Sequence, residues 1–144
     1  MIVPNLRSPS EKLGGLHYFP RMLDKIRLHA AGQLPPDYMP NLGGGFDGRC
    51  CSFLRIDYPA LVEAVKGGLS DEAALAWAYQ HGRKPSEADA DVWNEFMRKR
   101  GWDDEATPTL HRRLREGGFQ DRTDIQTMFE YIDLDEGRDP HPRT

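Results

Sequence analysis

The sequence predicts an all-α fold: a single compact bundle of about six or seven short to medium helices over residues 1–138, followed by a flexible tail at 139–144. Three observations predict it. Apolar residues recur at helical spacing along the chain, no stretch alternates apolar and polar residues as a half-buried strand would, and capping residues and glycine stops punctuate the pattern. There is no repeat of fixed period, which argues against a solenoid. At 144 residues the chain is long enough to bury about 68–70% of its unfolded surface without a disulfide or metal staple.

The first helix runs from Phe19 to Ala31, with Phe19, Met22, Leu23, Ile26 and Ala30 as its apolar stripe, Pro20 in the first turn and Gly32 as the stop. Pro35, Pro36 and Pro40 then hold residues 33–45 in a non-helical loop, which Gly43, Gly44 and Gly45 loosen. Two short helices follow, Phe46 to Ile56 and Pro59 to Lys66, the second ending at Gly67-Gly68. Ser70 caps the next helix, where Asp71 and Glu72 face the positive end of the dipole and Ala74, Leu75, Ala78 and Tyr79 face inward until Gly82. Ser86 to Asp89 has the shape of a capping box, and the helix it opens carries Val92, Trp93, Phe96 and Met97 as a buried stripe up to Gly101. A peripheral helix from Pro108 to Glu116 offers only Leu110 and Leu114 to a core. The last helix starts after Thr123 and places Ile125, Met128, Phe129 and Ile132 on one face.

Charge and targeting narrow the function. Nineteen Lys and Arg against 23 Asp and Glu leave a net charge of -4 and a pI near 5.7, against a protein built mainly to coat DNA or an anionic membrane. Pro4, Arg7 and Glu11 interrupt the amino terminus where an export signal needs apolar residues, and the longest apolar run, Ala73 to Tyr79, is far too short to cross a bilayer. A cytoplasmic location is expected. Cys50 and Cys51 are neighbours and cannot close a stabilising loop; they are expected to be small buried apolar residues rather than a vicinal disulfide switch.

Gly43 to Gly48 satisfies G-x-G-x-x-G and opens a helix, but the preceding LPPDYMPNL carries three prolines and is no buried parallel strand, so a dinucleotide fold is excluded. What remains is a helix start with Arg49 beside it, either an anion site or simply a flexible lead into the helix.

Projected at about 100° per residue, the first helix gathers Arg21, Asp24, Lys25 and Leu28 opposite its apolar stripe. An apolar residue inside a charged face implies that the face is covered, by another element, a second subunit or a ligand. Asp133, Asp135 and Glu136 stand at a helix carboxyl end, where the dipole disfavours negative charge, and Arg21, Lys25 and Arg27 are the cations expected to answer them. Two readings follow: an ion-pair network joining first and last helices, or a polar binding cleft.

Other chemistries are poorly supported. The five histidines include no pair at i, i+4 and no Glu-x-x-His, so no metal and no cofactor are expected. There is no G-x-S-x-G nucleophile elbow. Residues 98–115 carry Arg98, Lys99, Arg100, Arg112, Arg113 and Arg115 around Trp102, a pattern that would suit RNA but is more simply a solvated helix face, and nucleic-acid binding is not expected.

With LRSPSEKLGG, FPRMLDKIRLHAAG, GFDGRCCSFLRI and TMFEYIDLDEGR in that order, the chain resembles a bacterial family of small helical proteins, the domain of unknown function numbered five-zero-six-nine. The likeness runs from Leu6 to Arg138. By position it singles out Arg7, Ser8, Gly14, Gly15, Arg21, Asp24, Lys25, Phe46, Asp47, Phe53, Asp133, Glu136, Gly137 and Arg138. The chain departs from the pattern at Cys50-Cys51, where the family carries bulky apolar residues, and at Met128, where it carries Trp; the first departure argues against a thiol mechanism. The resemblance implies no activity.

The function expected from these features is a binding or interaction module with a partly cationic cleft for a small anionic ligand or a protein partner. Arg21, Asp24, Lys25, Asp47 and Arg49 form its candidate site, and Asp133, Asp135 and Glu136 its supporting acidic turn. An enzyme acting on a phosphorylated or carboxylated metabolite, with Asp24 or Asp47 as general base, is the alternative. The Leu28 face or exposed aromatics would be the surface for a homodimer.

Overall fold

The computed structural model describes residues 1–142, and among them the chain forms seven α-helices, one 3-10 helix and a single two-stranded hairpin. The hairpin was not legible as alternation because each strand is two residues long. β1 (Lys12–Leu13) pairs antiparallel with β2 (Leu16–His17), Leu13 opposite Leu16. Gly14 and Gly15 make the turn at φ +60° and +77°, a conformation that costs a residue with a Cβ.

α1 (Phe19–Ala30) follows at once and runs through the centre of the molecule. Its stripe of Phe19, Met22, Leu23 and Ile26 is buried against Leu54, Leu61, Val65, Ala74, Ala78, Met97 and Phe129, so every later α-helix but the one at Thr107–Glu116 contributes to one core. Each such side chain contributes about 1.5–3 kcal/mol on leaving water. The proline-rich loop contains a 3-10 helix, Pro36–Asn41, where sequence implied no helix; Pro36 fills its first turn, in which a missing N–H costs nothing.

α2 (Gly45–Leu54) and α3 (Tyr58–Lys66) form a corner, with Asp57 capping α3 through the Ala60 N–H. α4 (Asp71–His81) and α5 (Glu87–Lys99) begin at Ser70 and Ser86, whose hydroxyls accept from the N–H groups of Ala73 and Asp89. Gly82 is required between them: a Cβ there would lie 1.9 Å from the Leu54 carbonyl oxygen, where Arg83 N–H bonds the end of α2. α5 is less amphipathic than its pattern implies. Trp93 and Met97 are buried, but Val92 is 71% exposed and Phe96 36%, because the hairpin and the last helix, Met128–Asp135, cover only one side of α5. Trp93 stacks on Phe53 and donates to the His17 carbonyl, and Asn94 bonds His17 N–H and the Gly15 carbonyl, so the hairpin is clamped onto α5.

α6 (Thr107–Glu116) rests on α7 (Met128–Asp135) through a separate cluster of Leu110, Leu114, Ile125 and Met128. α7 starts later than expected: Thr127 caps it through Glu130 N–H, and Ile125 is buried in the preceding turn. In the segment expected to be a flexible tail, Asp139 pairs with Arg122 and His141 with Glu130; Arg143 and Thr144 lie outside the described residues. No helix among the described residues is long and apolar enough to cross a membrane.

Candidate functional site

The face of α1 opposite the core is covered, as Leu28 implied. Leu28 packs with Val3, Leu6 and Leu34 under Tyr38 and Leu42, so the chain's own amino-terminal segment and 3-10 region supply the cover. The charged residues of that face are buried with it: Arg21 is 4% exposed, Asp24 7% and Lys25 5%. Burying a charge is costly unless it is paired and hydrogen-bonded, and each of the three is.

Arg21 meets Glu136 in a two-pronged pair at 2.8 and 2.6 Å, as expected from the acidic turn. Glu136 also accepts from Tyr38 Oη at 2.7 Å and Arg138 at 2.9 Å. Burial opposes its ionisation, but the hydrogen bonds and charge of Arg21, with Tyr38 and Arg138, outweigh burial and hold its carboxyl below the usual range. Lys25 and Arg27 do not answer the acidic turn. Lys25 pairs with Asp47 at 3.1 Å, and Arg27 with Asp71 at 2.8 Å. Asp24 turns the other way, to Arg7 at 2.9 Å, in a network that Arg27 and Asp71 complete. Asp133 accepts from Ser8 and Arg138, and its carboxyl is pushed up by burial; the Asp135 carbonyl receives the amino terminus.

Asp47 is fully buried and holds three donors: Tyr18 Oη at 2.6 Å, Lys25 Nζ at 3.1 and 3.2 Å, and Gly43 N–H at 3.1 Å. The last bond shows what the glycine loop does. It follows a 3-10 helix rather than a strand, and Asp47 from the first turn of α2 closes it.

These groups border a cleft of about 930 Å³ between the 3-10 helix, the start of α2, α6 and α7. Tyr18, Arg21 and Lys25 reach it from α1, and Arg49, Arg100 and Arg113 stand around it with Tyr38, Phe46 and Tyr131. Of the expected site residues, Arg21, Lys25, Arg49, Asp135 and Glu136 line the cleft; Asp47 lies behind Tyr18 and Lys25, and Asp24 and Asp133 are turned away from it. Arg49 and Arg100 both lie over the Phe96 ring, at 5.1 and 5.5 Å, which accounts for that side chain's position at the surface. Among the described residues Arg100 pairs with Asp104 at 3.4 Å, whereas Arg49 and Arg113 form no ion pair. Nothing in the sequence marks Tyr18 or Tyr38 as site residues, and Arg113 is marked only as part of the basic segment 98–115, with no sign that it meets the α1 face.

Arg98 and Lys99 pair with Glu95, and Arg112 with Glu116. Cys50 and Cys51 are free and buried, with burial pushing both thiols up, Cys51 to about 12. Among the described residues no three His, Cys, Asp or Glu side chains converge as a metal site requires.

A mostly helical protein with a charge-lined cleft on its central helix is the class that fold and site define. The chain belongs to the family described as Domain of unknown function (DUF5069), whose model matches residues 3–138. No curated protein matches it.

Proposed function

We propose that the protein binds a small anionic ligand in this cleft, its carboxylate or phosphate meeting the Arg49 and Arg113 guanidinium groups. One observation carries the reading: these two cations line the cleft without an ion-pair partner among the described residues, while Arg21 and Lys25 beside them are already neutralised by Glu136 and Asp47. Arg21 and Lys25 thus shape the floor, and the unmatched arginines supply the attraction. Tyr38, Phe46 and Tyr131 offer apolar surface to the rest of the ligand. A carboxylate general base acting directly on the ligand is disfavoured, because Asp24 is engaged by Arg7 away from the cleft and Asp47 is fully covered. Nothing in this reading requires a membrane, nucleic acid or cofactor, and it is consistent with a cytoplasmic protein.

The test is a thermal-shift screen of phosphorylated and carboxylated metabolites, followed by titration of any hit into Arg49→Ala and Arg113→Ala. A hydrogen bond to a charged group contributes about 1.5–3 kcal/mol, so each variant is expected to weaken binding by about tenfold or more. Unchanged affinity in both variants would sink the proposal, as would a screen in which no anion stabilises the protein.

A further inference from the structure

We infer that Lys25 is a reactive amine, and that the cleft takes an aldehyde or ketone bearing a phosphate or carboxylate and holds it as an imine on Lys25 Nζ. The inference rests on the anion-binding reading of the cleft, and four observations support it.

Lys25 is the one lysine among those lining the cleft, and the little of its side chain that is accessible faces it. Its amine sits 3.4 Å from Tyr18 Oη, which is itself 2.6 Å from Asp47 Oδ1, so a carboxylate that can take a proton and a hydroxyl that can pass it on are both in place. Tyr18 holds that position from a strained backbone, φ +80° and ψ −31°, immediately before α1. A residue with a Cβ in that region costs about 1–3 kcal/mol and persists only when its surroundings impose it. Finally, burial favours the neutral amine of Lys25, against the opposing pull of Asp47, and Arg21 adds to the effect.

The step balances without a further reagent. Lys25 passes its proton to Asp47, and the freed nitrogen lone pair attacks the carbonyl carbon while the C=O π pair moves to oxygen. The nitrogen sheds its second proton as the oxygen gains one, giving a carbinolamine. Asp47, through Tyr18 Oη, then returns a proton to the hydroxyl, the C–O bond breaks, water leaves and the C=N bond forms. Arg49 and Arg113 would hold the anionic end meanwhile.

The probe is pyridoxal 5′-phosphate, a phosphorylated aldehyde, added below stoichiometry to the whole protein and trapped with borohydride before peptide mapping. The exposed Lys12, Lys66, Lys84 and Lys99 serve as internal controls in the same sample. The expected result is a single adduct on each chain that reacts, at least tenfold enriched on Lys25, lost in Lys25→Arg and formed at least tenfold more slowly in Tyr18→Phe. Because the mapping is read on unmutated protein, it does not depend on either variant folding. The 4′-deoxy analogue, which keeps the phosphate and lacks the aldehyde, separates the two proposals. If the analogue binds and Lys25 remains unlabelled, the imine is refuted and anion binding stands; if Lys25 is labelled but the analogue does not bind, anion binding is refuted and the reactive amine stands. Label spread evenly over the control lysines with no binding of the analogue refutes both.

Discussion

Replacing Arg21 by Met tests whether the buried charges of α1 hold the molecule together. The substitution keeps most of the side chain's length and removes two hydrogen bonds to Glu136, of 2.8 and 2.6 Å, in a pair whose side chains are 5% and 2% exposed. Removing one partner of a buried pair costs about 3–5 kcal/mol because the other is left charged in a poor solvent. Glu136 retains Tyr38 at 2.7 Å and Arg138 at 2.9 Å, which puts the expected cost at the lower end. With about 3 kcal/mol lost and a urea slope of about 2 kcal/mol/M, the unfolding midpoint falls by about 1.5 M. The same loss lowers Tm by about 10 °C for a chain of this size. Combined with Glu136→Gln in a double-mutant cycle, it should give a coupling of about 2 kcal/mol. A loss below about 1 kcal/mol, the value of an exposed pair, or an absent coupling, would refute the reasoning.

Two further outcomes are expected. Glu136 and Asp71 are held below their ordinary range when folded, Glu136 because the hydrogen bonds and charge of Arg21 outweigh the opposing effect of burial and Asp71 by its hydrogen bond to Arg7, so their contribution is complete above the unfolded value and is lost as pH falls through the folded one. The difference in stability between the parent and Glu136→Gln, measured by urea titration, should therefore be constant from neutrality to about pH 5 and shrink below it; a difference that does not narrow in acid would contradict this. Burial raises both thiols, so Cys50 and Cys51 should resist a thiol-exchange reagent in the native protein and react together on unfolding in urea, whereas fast labelling of either in native protein would contradict their placement.

The helices were legible where one local rule governed them. Ser70 and Ser86 mark helix starts through a bond to an N–H three residues on, and the stripe of α1 needs only its period. Leu28 revealed a covered face for a similar reason, since one apolar residue among charges is a local anomaly. Pairing was not legible. Charge alone points Lys25 to the acidic turn, and only the fold shows that Asp47 is nearer, brought in by the loop it closes. Val92 and Phe96 show the converse limit: helical spacing names a stripe but not how wide a neighbour covers it. Tyr18 owes its place to backbone geometry, at φ +80°, and no helical or strand period marks it as the group beside Lys25.

The bond between Arg21 and Glu136 joins residues 115 positions apart. At translation rates of about 5–20 residues per second, a ribosome that has finished Arg21 needs roughly 6–23 s more to reach Glu136. For that interval the central helix has no answering carboxylate at this position, and drying its charged side would strand a guanidinium. An interrupted product lacking α7 and the turn after it would carry an uncompensated guanidinium on its central helix, and drying that face would then cost free energy rather than stabilise the fold.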